Sequence, residues 1–204
     1  ISPGMNRFQW DLRYPDAVEV TGFEAPIAAG GEDDSVTGPV VLPGHYRVVL
    51  NYAGHKTEQA FEVALDPRLH PARGGLAAQL KLQLQIHAAL SSLDQTLNQA
   101  IGLRDQLNAA LDKHTLSGQK ATDAVAQLTL AIGNLVQLEI QGSEGDLLHD
   151  TKLRSHLAYL ASDVGLAYQQ PTAAQYEVFK ELDAQTRNGI QQLQDAIADG
   201  KQVL

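Results

Sequence analysis

The spacing of apolar residues changes once along this 204-residue chain, near residue 66. Before that point apolar and polar positions alternate between frequent glycines and prolines, which is the period of a strand with one buried face. After about residue 75 apolar positions recur every three or four residues, as in an amphipathic helix. The pattern predicts an α+β chain of separate modules: a small antiparallel β-sandwich at 1–67, a linker at 68–75 and a helical bundle at 76–204.

The clearest strand pattern is a hairpin at 45–65, with Ala53-Gly54 as its tight turn. Alternate apolar residues share one face of its two strands: Tyr46, Val48, Leu50 and Tyr52, then Phe61, Val63 and Leu65. Another strand is expected at 5–13, and weaker strands at 17–21 and 39–42.

Helices are predicted at about 76–113, 119–140 and 147–168, with a fourth beginning after Pro171. Each is apolar on one stripe only, so the helices must bury those stripes against one another, and short connections favour an antiparallel bundle of three to four helices. The fourth helix has the strongest start signal, because Thr172 can cap its first turn while Gln175 reaches back to the backbone. Gly200 is the expected end.

Several residues of the first module are interpreted as structural. Trp10 alternates with Phe8 and Leu12 and is placed in the sandwich core, although an exposed Trp could instead stack on a sugar ring. Asp11 is expected to accept hydrogen bonds from turn backbone. Pro43 and Gly44 set the entry to a strand, after which Tyr46 directs its hydroxyl toward a neighbouring loop.

The sequence offers little reactive chemistry. Cysteine is absent, which excludes thiolate catalysis, disulfides and Cys-type zinc sites. No motif for a serine nucleophile or a phosphate-binding loop is present. We predict no catalytic residue and no cofactor, while paired carboxylates for glycoside hydrolysis stay open.

Metal binding has only weak candidates. Glu32, Asp33 and Asp34 could hold Ca²⁺, but they lack the Asp-x-Asp-x-Asp-Gly pattern, so a solvated acidic loop is favoured. His149 and His156 are seven residues apart, which is too far for one zinc ion on a helix. We predict no metal site.

Charge and hydropathy narrow the range of expected binding partners. The formal net charge of −9 disfavours nucleic acid and an anionic membrane surface, since both bind clustered Lys and Arg. No apolar run approaches the length of a membrane span, so membrane insertion is not expected. The start at Ile1-Ser2-Pro3-Gly4 and the single methionine, Met5, suggest a cut point within a longer protein.

Four stretches carry a family resemblance: Gly4 to Pro15, Gly38-Pro39, Pro43-Gly44-His45-Tyr46-Arg47-Val48 and Asp66-Pro67-Arg68. Together they resemble the C-terminal region of large bacterial proteins with a sialidase-type or sortilin-like β-propeller of BNR (Asp-box) repeats, often labelled glycosyl hydrolases. The first part also resembles the Ig-like domain of flagellar hook-capping proteins, which implies an Ig- or fibronectin-III-like sandwich. The resemblance implies an extracytoplasmic location, periplasmic or secreted, and places any chemistry in the propeller, because this chain has no Asp-box.

These observations favour a non-catalytic structural or interaction module that packs against or spaces an upstream β-propeller of the same protein. The alternatives are a carbohydrate-binding accessory domain of a glycoside hydrolase, and a helical module that forms a homo-oligomer through the bundle.

Overall fold

The computed structural model describes residues 4–23, 36–139 and 149–204. Within these ranges two strands precede four helices: β1 (Gly44–Tyr52), β2 (His55–Val63), α1 (Gly75–Asp112), α2 (Gln119–Gly133), α3 (Leu153–Gly165) and α4 (Ala173–Lys201). The fold is therefore mostly helical, with one small antiparallel sheet.

The hairpin is confirmed, and its turn explains its register. Ala53 and Gly54 both have positive φ angles, of 48° and 81°, as a two-residue type I′ turn requires. Tyr52 therefore lies opposite His55, and the pairing continues regularly to Gly44 and Val63.

The β-sandwich prediction is wrong, because β1 and β2 form the only sheet among the described residues. The stretch 5–13 is not a strand: Leu12 turns the backbone with a φ of 63°, and only an isolated bridge joins Arg13 to Val40. The stretches 17–21 and 39–42 also lack strand structure. Alternation indicates which side chains would share one face of a strand, but a strand also needs a continuously paired neighbour.

Two segments without regular secondary structure, 12–17 and 36–41, take the place of the expected sheet. They run antiparallel, and hydrogen bonds join Tyr14 N to Pro39 O (2.9 Å) and Ala17 N to Val36 O (2.8 Å). Gly38 is essential to this pairing, since a Cβ there would lie 1.8 Å from the carbonyl oxygen of Tyr14.

The helical prediction is confirmed in number and order, with shorter second and third helices than expected. The long helix α1 contacts each of the other three, and α4 also packs on α2 and α3. The interior consists of fully buried aliphatic side chains from all four helices: Leu82, Ile86, Leu90, Leu93, Leu97, Leu107, Leu128, Ile132, Leu157 and Leu193. Gly200 does not end α4; it lies in the last turn, where its small size lets Leu103 and Leu128 approach.

The N-terminal segment packs on this helical core. Ala17, Val20 and Val36 are buried in the same apolar cluster as the helices. The side chain of Asn98 on α1 fixes the segment from both sides, accepting from Thr21 N (2.7 Å) and donating to Glu19 O (2.8 Å). The first part of the chain therefore shares its buried surface with the bundle.

Candidate interaction surface

The hairpin has one apolar and one charged face. The alternation along its strands places the following apolar or aromatic residues on one face, which His55, Thr57 and Gln59 of β2 share: Tyr46, Val48, Leu50, Tyr52, Phe61 and Val63. The opposite face carries most of the polar groups: His45, Arg47, Asn51, Lys56, Glu58 and Glu62.

Only the base of the apolar face is covered. Trp10 packs there against Tyr46 and Phe61, with ring centroids 5.7 and 6.1 Å away. The indole N–H of Trp10 donates to Arg13 O (2.9 Å), and the Tyr46 hydroxyl donates to Leu42 O (2.6 Å). Aromatic contacts of this kind add to the stability of the base beyond simple burial.

The outer half of the same face is exposed to solvent. Val48, Leu50 and Tyr52 are 50%, 55% and 58% exposed. Scattered apolar residues are normal on a protein surface, but three successive positions on one face of a strand form a patch. This patch is the strongest candidate for a binding surface in the described part of the chain.

The charged face is organised around one carboxylate. Glu58 accepts from Arg47 across the hairpin (2.9 Å) and also pairs with Lys56 on its own strand. Glu62 makes no ion pair with any residue that the structure describes. These exposed pairs contribute little to the stability of the fold.

A cleft of about 430 Å³ separates the base of the hairpin from the ends of α1 and α3. Its walls are largely aliphatic, and its ionisable side chains include Arg13, Asp66 and His87. Arg13 donates to Gly38 O (2.8 Å), and Asp66 is paired with Arg68 (2.6 Å), which lowers the pKa of the Asp66 carboxyl. Asp66 is the sole carboxylate among the described lining residues, whereas glycoside hydrolysis uses two.

His87 lies at the floor of this cleft, 8% exposed on α1. Burial lowers its pKa, since the charged ring would lose its hydration, while the nearby Asp16 carboxylate and a hydrogen bond with the backbone of Thr37 act in the opposite direction. The ring therefore joins α1 to the 36–41 segment as a neutral group.

Sequence reasoning missed a buried ion pair in the helical core. Asp94 on α1 and Arg154 on α3 are 0% and 2% exposed and lie 3.2 Å apart. The guanidinium also stacks over Phe23 of the N-terminal segment, 4.5 Å from the ring centre. The available signal was a charged residue within an apolar stripe on each of two helices.

The remaining sequence candidates are dispersed. Asp11 accepts from Arg13 N (3.1 Å) as a turn residue does, Pro43 is exposed and Gly44 opens β1. The Thr172–Gln175 capping box is present, with both of its hydrogen bonds formed.

The metal candidates are not brought together. Glu32, Asp33 and Asp34 lie outside the described residues. His149 faces Glu139 (3.5 Å) while His156 contacts Thr151 (3.2 Å). Across the ranges 4–23, 36–139 and 149–204, no group of three potential metal ligands occurs.

Comparison with known proteins adds no assignment: no protein-family model, no curated protein and no solved structure matches this chain. Among the helices that the structure describes, none combines the length and apolarity needed to cross a membrane. The functional argument therefore rests on the geometry of the hairpin and on the sequence resemblance.

Proposed function

We propose that this chain is a non-catalytic structural and interaction module of a larger extracytoplasmic protein, in which it packs against a β-propeller of the same polypeptide. The propeller follows from the sequence resemblance. The contact surface follows from the hairpin, whose apolar outer half has nothing to cover in the described residues.

The single observation that carries this proposal is the exposure of Val48, Leu50 and Tyr52 on one face of β1. An isolated two-stranded hairpin is at best marginally stable in water, and its apolar face normally packs on a third element. Val48 and Leu50 are already about half-covered, so covering the rest would contribute roughly 1–1.5 kcal/mol for each, about half the value for full burial.

The rest of the chain is suited to holding the hairpin in place. The Trp10, Tyr46 and Phe61 rings brace its base, and the chain enters α1 about ten residues after β2 ends.

Hydrogen–deuterium exchange on the isolated chain and on the parent polypeptide tests the proposal. We expect the amides of β1 and β2 to exchange at least tenfold more slowly in the parent, because the hairpin is covered there. Leu50→Ser should remove most of this extra protection. The matched control is Leu130→Ser, at a 67% exposed position on α2. Equal exchange in the isolated chain and the parent would contradict the proposal.

A further inference from the structure

The outer edge of β2 is unpaired in the described residues and is separate from the apolar face discussed above. A two-residue turn makes Tyr52 and His55 a hydrogen-bonded pair, so alternate residues of β2 direct their backbone groups away from β1. These residues are Lys56, Glu58, Ala60 and Glu62. They form an open hydrogen-bonding edge nine residues long.

We propose that this edge pairs with the β2 edge of a second copy of the chain, antiparallel about a two-fold axis at Gln59. The interface joins two hairpins into a four-stranded sheet. It uses the edge of β2, not the face of β1, and so does not depend on the contact with the propeller.

The register follows from the sequence of the strand. A two-fold pairing centred on Gln59 overlaps His55–Val63 completely and keeps the two apolar faces on the same side of the sheet. Moving the centre by one residue would place Glu58 opposite its own copy, or opposite Glu62 of the other copy. Both alternatives bring like charges together across strands, which is destabilising.

Charge complementarity favours a second copy as the occupant. Centred on Gln59, Lys56 of each copy lies opposite Glu62 of the other, and Glu58 lies opposite Ala60. Glu62 has no cationic partner among the residues described within one chain. In the dimer Lys56 pairs with Glu62 of the other copy, and Glu58 keeps its ion pair with Arg47. The local bond from the Gln59 side-chain amide to Ala60 O (3.1 Å) gives way to a backbone bond.

Light scattering over a concentration range tests this proposal on the 22.0 kDa chain. We expect the mass to rise toward that of a dimer as the concentration increases. Lys56→Glu and Glu62→Lys should each weaken association by about fivefold, because each places like charges at two symmetric positions. The double variant should recover the wild-type association. Lys81→Glu, an exposed charge change on α1, is the control and should have no effect.

Ala60→Pro distinguishes association through the β2 edge from association through any other surface. Its backbone N–H points away from β1, so proline removes one bond per copy, two across the interface, and none of the hairpin. Circular dichroism should show an unchanged monomer fold, and the dimer should be lost. A chain that stays monomeric at millimolar concentration overturns the proposal. So does a dimer that Ala60→Pro leaves intact, which would point to the helical bundle. Because the dimer would itself protect amides of β2, the exchange comparison with the parent polypeptide is made at concentrations at which the isolated chain is monomeric.

Discussion

Asp94 and Arg154 show how much one residue pair can matter in a small core. Both side chains lie among aliphatic residues where water cannot solvate a charge. Removing two charges from water costs several kcal/mol, which only good geometry and further polar contacts repay. The Arg154 guanidinium thus contacts both Asp94 of α1 and Phe23, and the net contribution of such a buried pair to stability is small even though removing one partner is costly.

Arg154→Met should lower the free energy of unfolding by about 3–5 kcal/mol, because it leaves Asp94 buried without its cation. The double variant Asp94→Leu, Arg154→Met should regain most of that loss. Urea denaturation measures both. Arg187→Met is the control, since Arg187 is 70% exposed and its pair with Asp183 should be worth less than about 1 kcal/mol. A loss at Arg154 no larger than at Arg187 would refute this prediction.

His87 makes stability depend on pH in a defined direction. Its pKa is lowered in the folded chain, so the unfolded chain binds the proton more readily. Stability is fully present above the ordinary histidine pKa of about 6.5 and should fall as the pH drops below it. Unfolding free energies between pH 8 and pH 5 should show this slope, and His87→Gln should flatten it. If the exposed His156→Gln flattens it equally, another group is responsible.

At the scale of elements, side-chain hydrogen bonds to the backbone of Gly38 help to hold the segments 12–17 and 36–41 together. Asp16 Oδ1 accepts from Gly38 N (2.7 Å), and Arg13 donates to Gly38 O (2.8 Å). Gly38 is thus the point where the two segments are closest.

Gly38→Ala should separate these segments and cost about 3 kcal/mol, because the new methyl group would meet backbone atoms that cannot move independently. Thermal unfolding measures the loss. Gly102→Ala is the matched control: Gly102 lies within α1 with open space around it, so the change should stabilise the chain by up to about 1 kcal/mol. Similar effects at both positions would contradict the prediction.

The helices and strands with the strongest local sequence signals were the ones predicted most accurately. The helices α1 and α4 carry long apolar stripes and, for α4, a capping box, and their bounds agree closely with the prediction. The hairpin was determined by its own turn. The prediction of a β-sandwich was wrong because Phe8, Trp10 and Leu12 alternate in a stretch that has no partner strand. Phe8 is 85% exposed. Local spacing can mark Arg154 as a charged residue within an apolar stripe, but it does not identify the distant partners of Arg154 or Asn98.

At the scale of the whole molecule, the N-terminal segment and the helices share one apolar cluster. Val20 is 4% exposed in that cluster, whereas Val48 on the hairpin is half-exposed. If the N-terminal segment and the helices were independent modules, a substitution at Val20 would leave the unfolding of the helices unchanged. If they form one cooperative unit, the same substitution destabilises the helices.

Val20→Ala should lower the unfolding free energy of the helices by about 2 kcal/mol, because it leaves a cavity in their core. The helical circular dichroism signal during denaturation reports this directly. Val48→Ala removes the same atoms from an exposed position and should change the same transition by less than about 0.5 kcal/mol. An unchanged helical transition in Val20→Ala would favour separate modules.

The central position of α1 has a consequence during synthesis. This 38-residue helix leaves the ribosome before α2, α3 and α4, and its stripe of leucines needs all three. At about 5–20 residues per second, the last of them follows on the order of ten seconds later. During that interval the apolar stripe of the nascent helix is exposed to water. We expect the newly made chain to depend most on chaperones at this stage.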